Sequence, residues 1–129
     1  MKRILSVLIL LAIANLVFAQ KGKIEFEKVK YEFGEIVQGD TVEYTFKFQN
    51  TGVAPLKILS ARGSCGCTVP SYAKEAIAPG AKGEVFVRFK SVGKRGMQNK
   101  TVTLTTDALE TKQVILTLRG SVKLPTNGD

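Results

Sequence analysis

The sequence predicts an all-β domain, an antiparallel β-sandwich of about seven strands, behind an export signal. Apolar and polar residues alternate with a period of two over much of the chain from Ile24 to Val122. Turn-forming residues recur about every 8 to 12 residues, and helical periodicity is almost absent after the signal. A small closed barrel is the alternative, but the long irregular connection from Gly63 to Ala76 favours two packed sheets.

The first part of the domain is predicted to hold two strands. Ile24–Val29 and Tyr31–Phe33 form an opening strand with a break, followed by a turn over Gln38–Asp40. Val42–Phe48 is the clearest half-buried strand, because its apolar side chains alternate with polar ones and project to one face. Asn50–Gly52 ends this strand with residues that tolerate positive φ.

The middle of the domain is less regular. Pro55–Ala61 is predicted as a strand with proline at its permitted first position. The segment Gly63–Ala76 contains both cysteines and is predicted to be largely irregular, and Ala78–Gly80 is predicted to be a turn. Val85–Phe89 alternates with charged neighbours and is predicted as the next strand.

The last part of the domain is predicted to form a closing pair of strands. Gly93–Gly96 is predicted to be a basic hairpin loop. Lys100–Thr106 and Lys112–Val122 follow, and both are rich in the residue types that favour strands. The polar residues 123–129 are predicted to be a flexible tail.

Residues 1–19 have the three parts of a cleavable signal peptide. Two basic residues precede the apolar run Ile4–Ala14, which is short for a membrane span, and Val17–Ala19 fits a signal-peptidase site. Cleavage there would make Gln20 the first residue of a domain over residues 20–122. The alternative is an uncleaved N-terminal anchor. We expect an exported protein, periplasmic or extracellular, with no stable membrane insertion after cleavage.

The composition excludes several classes of catalytic site. The chain contains no histidine, so Ser-His-Asp and Cys-His nucleophilic sites cannot form within it. Zinc sites that combine histidine and cysteine are excluded for the same reason. We therefore predict a non-catalytic protein without a cofactor, and only a weak thiol-redox activity remains as an enzymatic alternative.

The chain is basic, with a formal net charge of +8. Several of the basic residues lie close together between positions 82 and 100, where Glu84 is the sole acidic residue. Such a cluster in a cytosolic protein would suggest nucleic acid as a partner. Export argues against that partner, and no aromatic residues interleave with the charges at stacking positions. We expect solvated strand faces and a basic loop, and no binding of nucleic acid.

Several stretches of the sequence resemble one bacterial family, catalogued as domain of unknown function 1573. The likeness extends from about Ile24 to Val122, and Ser64–Thr68 (Ser-Cys-Gly-Cys-Thr) is its most specific part. The stretches that carry it are Phe46–Gly52, Pro55–Ile58, Ser64–Pro70, Ile77–Gly80 and Leu118–Val122.

The resemblance implies an immunoglobulin-like fold, similar to the sperm-protein and Hydin-type domains that serve as binding or scaffolding modules. It implies no established activity, because a shared fold does not define a function. The family is abundant in exported proteins, which agrees with the signal at the N-terminus.

Cys65-Gly66-Cys67 is the one chemically distinctive motif in the mature sequence, and it has three interpretations. The two cysteines are candidates for a disulfide in an oxidising compartment, although residues two apart in an extended strand are separated by about 6.6 Å at Cα. Gly66 would relieve this constraint by adopting turn conformations. The same two sulfurs could instead bind Cu(I), with Met97 as the only thioether in the mature chain. The third interpretation is a pair of inert structural thiols.

The sequence thus predicts an exported, non-catalytic immunoglobulin-like module. Its partner would be a protein or another cell-envelope component, bound by a loop cluster or by an exposed sheet edge. The alternative is a thiol-redox or Cu(I)-handling protein that uses Cys65 and Cys67, in which Arg62 and Lys74 could favour the thiolates. The oligomeric state is left open.

Overall fold

A computed structural model of the chain describes residues 1–7, 22–108 and 111–127. Apart from a short helix over residues 2–7, the described part consists of strands and their connections, so the all-β prediction is confirmed. Most of the predicted signal peptide, including its cleavage site, lies outside the described residues. None of the helical residues described here forms a segment long and apolar enough to span a membrane.

Within the described residues, eight strands form two sheets of four strands each. In the order in which the strands hydrogen-bond, the first sheet consists of β1 (Ile24–Phe26), β3 (Thr41–Asn50), β6 (Lys82–Lys90) and β5 (Thr68–Tyr72). In the same order, the second sheet consists of β2 (Lys30–Val37), β8 (Gln113–Lys123), β7 (Gly96–Thr106) and β4 (Ile58–Gly63). The two sheets form the predicted sandwich, and β8 runs one residue into the segment predicted to be a tail.

One strand pair departs from a wholly antiparallel arrangement. β2 pairs with β8 in parallel, with Lys30 opposite Thr117 and Val37 opposite Lys123. The sequence predicts one opening strand with a break between Val29 and Tyr31, but the interruption lies at residues 27–29, and the chain changes sheets there. The Glu27 N–H still donates to the Lys47 C=O of the first sheet (3.0 Å), whereas the Thr117 N–H of the second sheet donates to the Val29 C=O (2.8 Å).

Two further segments differ from the sequence prediction. Gly63–Ala76, predicted to be largely irregular, contains the edge strand β5, whose five residues pair antiparallel with β6. Gly93–Gly96 was predicted to be a hairpin loop, but it connects strands of different sheets, because β6 belongs to the first sheet and β7 to the second. The predicted closing pair β7 and β8 is confirmed, with ten antiparallel register pairs.

The core lies between the sheets and follows from the alternation of side chains along each strand. Phe46 of β3 and Phe89 of β6 are fully buried, together with Leu104 of β7 and Leu118 of β8. Each such side chain contributes about 1.5 to 3 kcal/mol relative to an exposed one. Burial of apolar side chains from both sheets therefore joins the two layers.

Asn50 is a fully buried polar residue at the end of β3. Its side-chain amide nitrogen donates to the Ala54 carbonyl (2.8 Å) and the Ile77 carbonyl (2.9 Å). Its side-chain oxygen accepts from the backbone N–H groups of Lys23 (3.1 Å) and Gly52 (3.0 Å). One side chain thus joins the N-terminal segment to two connections between strands.

Asn50→Asp is expected to lower the free energy of unfolding by about 3 kcal/mol or more. A carboxylate cannot donate to the Ala54 and Ile77 carbonyls, and it would bring a charge into a buried site. Urea denaturation followed by circular dichroism measures the effect. Asn99→Asp is the matched control on an exposed position of β7 and should change stability by less than about 0.5 kcal/mol. Equal losses in the two variants would contradict the role given to Asn50.

Gly120→Ala is expected to lower the free energy of unfolding by about 1 to 3 kcal/mol. An added Cβ would overlap the ring of Phe33, which packs at 5.7 Å from the ring of Phe89. Gly66→Ala is the control, because nothing lies within 4 Å of a Cβ added there. Thermal unfolding of both oxidised variants tests the comparison, and an unchanged midpoint for Gly120→Ala would show that the packing of Phe33 is not tight.

Candidate functional site

The two cysteines lie in the connection that carries the chain from β4 in the second sheet to β5 in the first. The Ser64 N–H donates to the Thr101 carbonyl of β7 (2.8 Å), and the Lys90 N–H of β6 donates to the Cys67 carbonyl (2.9 Å). The connection is therefore attached to one strand of each sheet. Gly63 is needed at its start, because a Cβ there would overlap the backbone carbonyl of Thr68.

A disulfide joins Cys65 and Cys67 in the structure. The Thr68 N–H donates to the Cys65 carbonyl (3.1 Å), which makes the connection a turn and brings the two Cα atoms to 5.2 Å. That separation is within the usual range for a disulfide and shorter than an extended strand would allow. The reactivity of the pair in the protein's own compartment stays a prediction.

Thr68 places its hydroxyl group within hydrogen-bonding distance of both sulfurs. Its hydroxyl oxygen Oγ1 lies 3.6 Å from the Cys65 Sγ and 3.7 Å from the Cys67 Sγ. The residue is buried, with 3% of its surface exposed, whereas both cysteines are partly exposed and Gly66 is exposed. A buried hydroxyl thus faces a disulfide whose other side borders solvent.

Three basic residues lie on the strands next to this connection. Arg62 lies near the end of β4, and Lys90 is hydrogen-bonded to the connection itself. Lys100 precedes Thr101 in β7, and its ammonium group lies 6.0 Å from the centre of the Phe89 ring. Lys74, the other basic residue proposed from the sequence, follows the far end of β5 and is separated from the cysteines by that strand.

No cluster of three or more metal-ligating His, Cys, Asp or Glu side chains occurs among the described residues. Met97, the thioether considered for a Cu(I) site, lies opposite Ser121 at the start of β7, whereas the cysteine connection meets β7 at Thr101. The Cu(I) hypothesis therefore depends on the two cysteine sulfurs alone, and it stays a hypothesis.

The basic residues between positions 82 and 100 are divided between β6, β7 and the connection that joins these strands. Lys82, Arg88 and Lys90 alternate with buried residues along β6 and so share the outer face of the first sheet, where Glu43 engages Arg88 at 3.0 Å. Lys100 has its ammonium group near the ring of the buried Phe89. The cluster in the sequence is thus distributed over several surfaces of the described domain.

Sequence reasoning identified the cysteines but not Thr68, which contacts both sulfurs, or Lys90, whose backbone N–H bonds to the Cys67 carbonyl. Thr68 could have been found, because it follows Cys67 directly and closes the motif. Lys90 and Lys100 belong to other strands, so their positions depend on a register that local sequence does not specify.

The chain belongs to the family described as "Protein of unknown function (DUF1573)", whose model matches residues 24–122. The resemblance seen in the sequence is thereby confirmed. No curated protein matches the chain.

Solved structures of similar fold place the domain among immunoglobulin-like and PapD-like proteins. A protein of unknown function from Porphyromonas gingivalis W83 is 15% identical with a TM-score of 0.69, and the match covers 80% of this chain and 48% of that one. This chain thus spans about half the length of that protein. The ASH/PapD-like domain 7 of human CEP192 is also 15% identical, with a TM-score of 0.61 and coverage of 82% and 89%.

A third structure of similar fold is the periplasmic chaperone SfaE. It is 5% identical with a TM-score of 0.56, and the match covers 81% of this chain and 61% of that one. At these identities the likeness establishes the fold, and a shared fold does not carry function with it.

The double variant Cys65→Ser/Cys67→Ser is expected to lose about 1 to 2 kcal/mol of unfolding free energy, because a disulfide that closes so small a ring constrains the unfolded chain little. Chemical denaturation of the variant and of the reduced wild type measures this loss, with the oxidised wild type as reference. A loss above about 4 kcal/mol would contradict the expectation and make the disulfide a main support of the fold.

Proposed function

We propose that this chain is an exported, non-catalytic immunoglobulin-like module that binds an extended segment of a cell-envelope protein along one open sheet edge. The observation that supports the proposal is the uncovered part of β3, Thr41–Phe46. β1 pairs with β3 only over Phe48–Asn50, and the Glu27 N–H makes the next bond, to the Lys47 carbonyl. Past that point, no described strand pairs with this side of β3.

The backbone groups at this edge are arranged to accept another strand. Even-numbered residues of β3 bond to β6, as the Asn50 N–H does to the Ala81 carbonyl (2.9 Å) at the end of the strand. The alternation of an antiparallel ladder therefore directs the N–H and C=O groups of Thr41, Glu43 and Thr45 to the open side. A strand added here would bond to all three residues.

The other sheet edges are either protected against such pairing or open over a shorter stretch. β5 carries Pro70 at a position whose nitrogen points away from β6, so this edge lacks a donor at its centre. β2 has a bulge next to Gly34, β4 has one between Ile58 and Ser60, and β1 has three residues. β8 is uncovered over residues 113–116, a shorter stretch than that of β3.

The chemistry around the open edge indicates what kind of segment would fit. A groove of about 460 Å³ lies at the end of the open edge next to the crossing, and it is lined by Glu27, Lys28, Tyr44, Thr45, Phe46 and Lys47. Val42 and Phe46 face the core, whereas Glu43 points outward beside Arg88. The segment would place apolar side chains inward and polar ones outward, with a basic residue opposite Glu43.

Two other considerations support the proposal. Among the structures of similar fold, the YadV and SfaE proteins are described as chaperones, and SfaE as periplasmic. Chaperones act by binding other polypeptides, which agrees with a role in protein binding. The predicted signal peptide would deliver this domain to the same kind of compartment.

A synthetic peptide that alternates valine with threonine and carries one lysine is expected to bind this edge. Isothermal titration calorimetry measures its affinity, and hydrogen exchange locates it by protection of the Glu43 and Thr45 amides. Thr45→Pro should weaken binding at least about tenfold, because it removes an outward donor and obstructs the incoming strand. The β3–β6 ladder does not use that N–H group, so the fold should persist.

Thr45→Val is the matched control, because it changes the side chain and keeps the backbone N–H, and it should bind the peptide as the wild type does. Equal affinity of the Thr45→Pro variant, or protection at Gln113 and Ile115 in place of Glu43 and Thr45, would contradict the proposal.

The export component of the proposal is tested by a separate measurement. The protein recovered from the cell envelope should begin at Gln20, as shown by N-terminal sequencing or intact mass. Recovery of an intact N-terminus from the cytoplasm would contradict the export component and leave the peptide result unaffected.

A further inference from the structure

We propose that the Cys65–Cys67 disulfide exchanges with an exported dithiol partner, and that the Thr68 hydroxyl stabilises the sulfur that leaves as a thiolate. This activity goes beyond strand binding at β3. It uses the connection between β4 and β5, a different part of the domain.

The position of the Thr68 hydroxyl carries the inference. A buried hydroxyl normally hydrogen-bonds to a carbonyl or another strong acceptor. Here Oγ1 lies within 3.7 Å of both sulfurs, and these are its hydrogen-bond partners within the described part of the chain. A disulfide sulfur is a weak acceptor, whereas a thiolate is a strong one, so the hydroxyl stabilises the reduced pair more than the oxidised pair.

The exchange proceeds in two balanced steps. A thiolate of the dithiol attacks one cysteine sulfur, the Cys65–Cys67 bond breaks, and the other cysteine leaves as a thiolate that accepts a hydrogen bond from Thr68. The second thiol of the partner, as a thiolate, then attacks the mixed disulfide and releases the first cysteine. The partner is oxidised to a disulfide and the two cysteines gain two electrons. The two protons that the partner's thiols lose on ionisation pass to solvent, and solvent protonates the two cysteine thiolates.

Access and charge are consistent with this chemistry. Both cysteines are partly exposed and Gly66 between them is exposed, so an attacking sulfur can approach from solvent. Arg62 lies in β4 just before the connection, Lys90 bonds to the connection through its backbone N–H, and both residues are exposed, so positive charge is present at this end of the domain. A purely structural bridge would require neither solvent access nor a buried donor.

Thr68→Val tests the proposal with a side chain of the same shape that lacks the hydroxyl. Reduction of the oxidised variant by dithiothreitol at fixed pH should be about tenfold slower than reduction of the wild type, the lower range expected for a hydrogen bond to a charged group. In a glutathione redox buffer, the variant should be more oxidised at equilibrium. Thr68→Ser retains the hydroxyl and should restore both values towards those of the wild type.

A second readout separates this role from a structural one. In the reduced protein, the pH dependence of alkylation by iodoacetamide should show a lower pKa for at least one cysteine in the wild type than in Thr68→Val. Circular dichroism of the oxidised variant checks that the fold is intact. Equal reduction rates in the two proteins, or a native disulfide that dithiothreitol does not reduce, would overturn the proposal. Peptide binding at β3 should be the same in both proteins, so the two proposals fail independently.

Discussion

The division of the N-terminal strand between the two sheets is the constraint on which most of this structure depends. Backbone N–H and C=O groups require partners. β1 supplies them to the last residues of β3, and β2 supplies them to the C-terminal part of β8. The crossing between them is short. Next to it, the ring of Tyr31 in β2 stacks on the ring of Tyr44 in β3, with the ring centres 4.0 Å apart. The N-terminal segment is divided between the two sheet edges and covers neither along its full length. The open stretch of β3 is the consequence, and the fold does not remove it.

On the other side of the sandwich, the passage from β4 to β5 makes a comparable crossing with different chemistry. Its turn is narrow enough to join Cys65 to Cys67, and the first residue of β5, Thr68, places a hydroxyl beneath both sulfurs. Both distinctive features of the domain therefore occur where the chain changes sheets. At such points local hydrogen bonding is less regular than within a ladder, and side chains and backbone groups are left available for other partners.

The fold class could be predicted because alternation along β3 and β6 is a local property that burial imposes directly. The pairing of the strands could not be predicted, because the pairing of Lys30 with Thr117 joins distant parts of the chain and leaves no local signal in the sequence. The sequence predicts a break between Val29 and Tyr31, close to the actual crossing at residues 27–29, but a break within a strand and a change of sheet look alike in sequence. Cys65 and Cys67 could be predicted as a candidate site from their residue type alone. The open edge of β3 could not, because it is defined by the absence of a pairing strand, which depends on how the two sheets assemble.

The parallel pairing of β2 with β8 has a mechanical consequence. The domain begins beside Asn50, at one end of the sandwich, and β8 finishes beside Val37, at the other end. Tension applied through the two ends would act along β2 and β8 in opposite directions. The hydrogen bonds between these two strands would then be loaded in shear, and they would have to break almost simultaneously. Resistance to such a load is governed by the rate of unfolding. A domain with this geometry is therefore expected to unfold slowly when its two ends are pulled apart.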